Sequence, residues 1–172
     1  KEDLVGTEIG DVPVLGTFDD ESYSSIIGTD CNAFLAIDEV ELRKQLIEET
    51  KAVAANAIHQ RSSISKSASF GFGNYVANGV VVNTLAEIGS NAIIHTNVTI
   101  DTEVKIGNFV QIGAGTILSA NVTIEDDVFI GAGVTIVSGV TIGAGARVGA
   151  GSVVIANIEE GDTVFGNPAS SI

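Results

Sequence analysis

Ile94-His95-Thr96-Asn97-Val98-Thr99-Ile100-Asp101-Thr102-Glu103-Val104-Lys105-Ile106-Gly107-Asn108-Phe109-Val110-Gln111-Ile112 returns to isoleucine at every sixth position. The register extends both ways. It takes in Ile64, Phe70, Val76, Val82 and Ile88 on one side, and Leu118, Ile124, Ile130, Ile136, Ile142, Val148 and Val154 on the other, with no hexad skipped. Four residues beyond the anchors stand mostly small or β-branched residues: Val98, Val104, Val110, Thr116, Val122, Val128, Val134, Val140, Ala146 and Ser152. Glycine often follows the anchor directly, as at Gly89, Gly107, Gly113, Gly131, Gly143 and Gly149.

A period of six fits neither a lone helix, at about 3.6 residues, nor a lone strand, at about two. It fits a solenoid of short strands and tight turns, the hexapeptide β-helix. Each strand offers one branched apolar side chain to a narrow axial column, and the glycines are expected to supply the corner angles that a β-carbon forbids. Three hexads make one triangular coil, and the whole stretch stacks into a prism roughly 25 Å tall at about 4.8 Å per layer. An ordinary β-sandwich has no reason to hold one period from Ile64 to Glu159. The fold class is therefore mainly β, a parallel β-helix over residues 61–172, preceded by a small α/β segment over residues 1–60.

The chain has 172 residues and a net charge of −14, with eight Lys and Arg. Scattered basic residues do not supply the clustered positive charge that phosphate backbones require, so nucleic acid and anionic membranes are excluded as partners. The single cysteine, Cys31, forbids an intramolecular disulfide and fits a reducing cytosol. No apolar run reaches the roughly twenty residues that span a bilayer, and no signal peptide is visible; the expected location is cytoplasmic. The chain lacks methionine and opens at Lys1 in mid-phrase, so the expectation is that preceding residues have been removed or left out.

The first segment has a different texture. Val12-Pro13-Val14-Leu15-Gly16 reads as a short strand ending in a turn, Asp19-Asp20-Glu21 as a polar loop or helix start, and Asn32 to Ile37 as a buried strand. Asp38, with Glu41 three residues on, has the spacing of a capping box. The helix expected from Glu39 to Lys51 has Val40, Leu42, Leu46 and Ile47 as its buried face, and Ala54 to Ile58 reads as a further strand. Strand–helix–strand is α/β texture. Gly71-Phe72-Gly73 falls in the solenoid register and reads as a corner, not as a nucleotide loop.

The hexads together with Val164-Phe165-Gly166-Asn167-Pro168-Ala169 resemble the left-handed β-helix acyltransferases. The handedness comes from that resemblance; the period does not give it. Val12-Pro13-Val14-Leu15-Gly16, then Phe34-Leu35-Ala36-Ile37 with Glu41-Leu42-Arg43-Lys44, then Ile58-His59, is similar to the sugar acetyltransferases of the sialic-acid O-acetyltransferase and bacillosamine N-acetyltransferase type. The likeness covers nearly the whole chain. It implies a Rossmann-like segment for a nucleotide-linked sugar, with Asp38 near the sugar pocket in place of a family glycine. It implies acetyl-CoA as co-substrate, acetyl transfer to a sugar amine or hydroxyl, no metal, and a homotrimer whose neighbouring prisms share the coenzyme A groove.

Such a reaction needs a base that takes the proton of the attacking amine or hydroxyl, which favours histidine, and N–H donors for the thioester oxygen. The family motif, roughly apolar-Glu-His-Asp/Glu-Cys-x-Ile-Gly, corresponds here to Ile100-Asp101-Thr102-Glu103-Val104-Lys105-Ile106-Gly107. Thr102 takes the histidine's place, Glu103 keeps the acid, and Gln111 takes the place of a second family histidine that contacts coenzyme A. His95, where the family commonly carries asparagine, is the imidazole available to replace the base, with Glu103 as its helper; His59 reads as structural. The resemblance assigns Gln111, Ala132, Ala150, Gly166 and Asn167 to coenzyme A. Ser170 and Ser171 follow the Asn-Pro-Ala phrase where the family often has Lys or Arg, which leaves Arg147 as the basic residue of the last coils. Asp101 and Glu103 serve as a base only if burial raises their pKa. The competing reading is a catalytically weakened relative kept as a structural or binding module. A zinc-dependent hexapeptide carbonic anhydrase needs three histidines, and the chain has two; an ice-binding ladder needs threonines more regular than these.

Overall fold

The computed structural model describes residues 2–17, 32–50 and 54–172. The chain divides into two compact units, Lys1–Ala54 and Ala55–Ile172.

In the second unit every hexad contributes a two-residue strand, and each strand pairs in parallel with the one eighteen residues on: Thr99 with Ile117, Lys105 with Thr123, Gln111 with Phe129. Three sheets result. The first face runs from Ala57–Ile58 through Tyr75–Val76, Ile93–Ile94, Gln111–Ile112, Phe129–Ile130 and Arg147–Val148 to Thr163–Gly166, with Ala169–Ser171 added antiparallel. The second runs from Ser63–Ile64 to Val153–Val154, and the third from Ser69–Phe70 to Thr141–Ile142. The architecture is a left-handed parallel β-helix. Its first strand, Ala57–Ile58, lies ahead of the boundary near residue 61 that the hexads suggested.

The axis is filled as the period requires. Every anchor from Ile88 to Val148 is at most 4% exposed. Burying one such side chain contributes about 1.5–3 kcal/mol, and the column repeats that gain in each layer. The intervening positions, Val98 to Ser152, form a second buried column. Its two polar members satisfy themselves locally: Thr116 Oγ1 donates to the Gly131 carbonyl at 3.0 Å and Ser152 Oγ to the Gly149 carbonyl at 2.7 Å. A buried hydroxyl is tolerated on that condition. At the first coil the anchors Ile64 and Phe70 are only half-buried.

The corners correct one expectation. The glycines directly after the anchors do not carry the left-handed backbone. The residue three beyond the anchor does, without a skip from Gly73 to Gly151, and it includes Leu85, Asn91, Asn97, Glu103, Phe109, Asn121 and Asp127. The glycine after the anchor has another reason. A β-carbon at Gly131 would stand 2.5 Å from the Ala150 amide nitrogen of the next coil. Close stacking of backbone on backbone, not the turn angle, selects glycine there.

In the first unit Glu8–Ile9 pairs antiparallel with Val12–Pro13 across Gly10 and Asp11, at φ 55° and 64°, the left-handed pair of a tight hairpin. The helix spans Val40–Thr50. Leu46 is buried and Val40 and Ile47 half-buried, but Leu42 is 37% exposed and Arg43 takes the buried place at 2%. Positions 40, 43 and 47 share one helical face, and 42 turns away from it. Residues 32–37 form no strand beyond a single parallel bridge of Ala33 with Ala54. Asp19-Asp20-Glu21 and Cys31 lie outside the described residues.

Candidate active site on one edge of the coil

The chain passes from first face to second to third and back, so each edge of the prism collects the same hexad position every eighteen residues. His95 follows the strand Ile93–Ile94 and stands on the edge between the first and second faces. It is half-exposed. Its backbone N–H donates to the Ile112 carbonyl at 3.0 Å, which fixes the ring one coil below Gln111. There the side chains meet: Gln111 Nε2 lies 3.4 Å from His95 Nε2. Which of the two donates follows the ring tautomer. At that length the bond is weak, and an incoming donor displaces it cheaply.

Above His95 the same edge turns smooth, through Gly113-Ala114, Gly131-Ala132 and Gly149-Ala150. Ala132 and Ala150 are both exposed on it. The edge ends under the terminal hairpin, where a β-carbon at Gly149 would stand 2.7 Å from the Phe165 ring. The hairpin turn exposes Gly166 and Asn167, and the Gly166 N–H donates to Ser152 Oγ at 3.2 Å. The sequence candidates Gln111, Ala132, Ala150 and Gly166 thus lie along the first edge and the face beside it.

Thr102 and Glu103 lie on the next edge, between the second and third faces. Glu103 is exposed, with its backbone at φ 58°. Within one chain Glu103 therefore does not stand beside His95; the side chain that does is Gln111. The Thr102 N–H donates to Asp101 Oδ1 at 2.7 Å, and Asn83 Nδ2 donates to the same oxygen at 3.0 Å. The backbone donor first, and the Asn83 amide second, hold the Asp101 carboxyl below its ordinary range. That is the reverse of the rise a carboxylate base needs. His59 is on the edge of His95, two coils earlier, and its Nδ1 accepts from the Arg61 N–H at 3.1 Å, a local turn contact. Among the described residues no group of three His, Cys, Asp or Glu side chains is placed to hold a metal ion. An open groove of about 750 Å³ runs elsewhere, along the third face past Phe70, Glu87, Lys105 and Asp126. Two of its acids bond the backbone: Asp126 Oδ1 accepts from the Asn108 N–H at 2.6 Å and Glu125 Oε2 from the Ala144 N–H at 2.9 Å.

The family model for bacterial transferase hexapeptides (six repeats) matches residues 103–138 and 121–156. PerB from Caulobacter crescentus, solved in complex with CoA and GDP-perosamine, is 32% identical over 95% of this chain and 80% of its own, with a TM-score of 0.86. The chain belongs to the hexapeptide-repeat sugar acetyltransferases. The acetyltransferase domain of PglB from Neisseria gonorrhoeae, in complex with acetyl coenzyme A, is 27% identical over 96% of this acetyltransferase and 81% of its own chain, with a TM-score of 0.85. WeeI from Acinetobacter baumannii is 25% identical over 100% of it and 84% of its own chain, with a TM-score of 0.81. No curated protein matches in sequence.

In this acetyltransferase Asp38 lies in the first unit and is exposed, two residues ahead of the helix start at Val40. Sequence reasoning missed two pairs. One is Asn83 with Asp101; the other is Arg147, whose guanidinium carbon stands 4.8 Å from the centre of the Phe129 ring. Both pairs are eighteen residues apart, so the signal was one coil length in the numbering.

Proposed function

We propose that the protein transfers the acetyl group of acetyl-CoA to the amino group of a nucleotide-linked sugar. The observation that carries this reading is the chain-long likeness to PerB, whose structure holds CoA and GDP-perosamine. The related perosamine N-acetyltransferase structure points to an amine as acceptor.

In the mechanism we infer, the sugar amine takes the place of the Gln111 amide at His95 Nε2. Its nitrogen attacks the thioester carbonyl and forms the C–N bond, while His95 accepts the amine proton. The tetrahedral intermediate collapses, the C–S bond breaks, and His95 returns the proton to the departing sulfur. The displaced Gln111 amide donates to the thioester. Ala132, Ala150, Gly166 and Asn167 line the path of the pantetheine arm, small side chains admitting a narrow chain. Thr102 and Glu103 reach the reacting centre from a neighbouring subunit, and Asp38 borders the sugar. The first unit serves the nucleotide-linked sugar.

A homotrimer is part of this reading. The outward positions of the faces beside the first edge include Tyr75 and Phe129, and Val81, Ile117 and Val153, among polar ones, whereas those of the third face are Ser69, Glu87, Lys105, Thr123 and Thr141. Packing the apolar faces together encloses the His95 edge between subunits; light scattering should give about three times the 17.6 kDa chain mass. No described helix is long and apolar enough to cross a membrane, and a cytosolic location suits both substrates. Thr102, in the place of the usual histidine, favours a second reading, an inactive structural relative. Release of free thiol from acetyl-CoA on adding a nucleotide-linked amino sugar separates the two.

A further inference from the structure

The left-handed corner residues from Gly73 to Gly151 are glycine, asparagine, aspartate and glutamate, with two exceptions, Leu85 and Phe109. Phe109 is half-buried, which offsets its backbone conformation. Leu85, at φ 59°, is the one aliphatic residue in that conformation among the described residues, and it is 52% exposed. A β-carbon makes the left-handed region costly, and a leucine left half in solvent gains little from burial in its own chain. The corner is held all the same. The Leu85 N–H donates to Ser67 Oγ at 3.2 Å, and Ser67 Oγ lies 3.1 Å from Ser65 Oγ. In the coil above, the Glu103 N–H donates to the Thr84 carbonyl at 3.0 Å. A braced backbone outlier that presents an apolar tip to solvent marks a functional contact.

Leu85 stands on the second edge, between the strands Val81–Val82 and Glu87–Ile88, one coil below Glu103. Resting on the homotrimeric acetyltransferase reading above, we propose that Leu85 selects the acceptor: its side chain meets a methyl group that the sugar carries where a hydroxymethyl would otherwise stand. The outward strand positions of the second face, Ser63, Val81, Thr99, Ile117, Thr135 and Val153, carry no charge, whereas the first face turns out Arg147 and the third Glu87 and Lys105. The uncharged face looks to the threefold axis. Cyclic closure then sets the second edge of each subunit against the first edge of its neighbour, at the same height. Leu85 comes within one coil rise, about 5 Å, of the level of His95. Ala132 and Ala150 lie above His95 and Leu85 below it, so Leu85 is on the acceptor's side. A hexose carries hydroxyls on most of its carbons, and a leucine bonds none of them. A methyl against it is favourable, and a hydroxymethyl there loses the water on its hydroxyl.

The test uses two nucleotide-linked amino sugars that differ only in methyl against hydroxymethyl. Wild type, Leu85→Asn and Leu85→Met are assayed with both, and each protein is checked for thermal midpoint and light-scattering mass. Wild type should favour the methyl sugar. Leu85→Asn should keep or raise the thermal midpoint, because asparagine tolerates the corner, and should keep the trimer mass. It should raise KM for the methyl sugar about tenfold, the worth of one apolar group in a pocket, and not raise KM for the hydroxymethyl sugar. Leu85→Met, which keeps an apolar tip, should retain the preference. An equal change for both acceptors in Leu85→Asn overturns the proposal, as does a wild type without preference. Loss of the trimer in Leu85→Asn also overturns it, since Leu85 is then a subunit contact. If wild type acetylates no nucleotide-linked amino sugar, the acetyltransferase reading itself has failed and the proposal falls with it; if it acetylates them and Leu85→Asn keeps the wild-type preference, only the role of Leu85 is wrong.

Discussion

His95 and Gln111 touch across one coil of the prism, Nε2 to Nε2 at 3.4 Å, although sixteen residues separate them. In the proposed mechanism the amide marks the seat of the acceptor amine and then turns to the thioester. The two side chains then act as a unit, and their substitutions should not add. Gln111→Leu should lower kcat roughly tenfold and His95→Asn 10²-fold or more, about the worth of a positioned base. The double variant should be no worse than His95→Asn alone. Steady-state kinetics of the four proteins measures this; strictly additive losses contradict a shared role.

The axial column makes the second prediction. Ile112 is fully buried among its copies. Ile112→Asp places an unpaired carboxylate there and should abolish cooperative folding. Ile112→Val removes one methylene group and should cost about 0.5–1.5 kcal/mol by denaturant titration. A folded Ile112→Asp protein with a normal midpoint is incompatible with the column.

Two kinds of glycine should respond differently to alanine. Gly115 has φ +70° with nothing near its missing β-carbon, so Gly115→Ala meets only the left-handed penalty, about 1 kcal/mol. Gly131→Ala drives a β-carbon against the Ala150 backbone and forces two coils apart. Its thermal midpoint should fall further than that of Gly115→Ala. The opposite order would remove the distinction between turn and stacking glycines.

Asp101 gives the pH dependence. Its folded-state pKa lies below the ordinary value because the Thr102 N–H and the Asn83 amide favour the ionised form. The sign follows from linkage: the stabilisation is present above the unfolded carboxyl pKa and is lost as pH falls through the folded value. Asn83→Ala removes one donor and should move the Asp101 titration upward, toward the ordinary range, while the neighbouring Glu103 signal stays put. Carboxyl-carbon NMR reads both. The stability change should be small, because the group is open to solvent. No upward movement of Asp101 would exclude the Asn83 bond.

The coil was legible because its signal repeats. A branched apolar residue every sixth position states both a turn and a buried column, and no local context from Ile88 to Val148 overrides it. The site was legible only in part. His95 and Gln111 were named separately as candidates, but their contact depends on the eighteen-residue rise, which brings residue 111 one coil above residue 93. Glu103 was paired with His95 as facing one groove between subunits; within one chain a corner and a strand send it to the next edge. The corner glycines were misread because two positions in the hexad both favour glycine, one for its backbone angle and one for its missing side chain. In the first unit Arg43 displaced Leu42 from the buried face because helical phase outweighs hydrophobicity at a single position.

The most direct test of the account is acetyl transfer itself. Purified wild type and His95→Asn are mixed with acetyl-CoA and a panel of nucleotide-linked amino sugars, and free thiol and acetylated sugar are quantified together. The account predicts stoichiometric thiol and N-acetyl product with at least one acceptor in wild type, and a loss of about 10²-fold or more in His95→Asn. Equal turnover in the two proteins, or no product with any acceptor despite a folded coil, would contradict it.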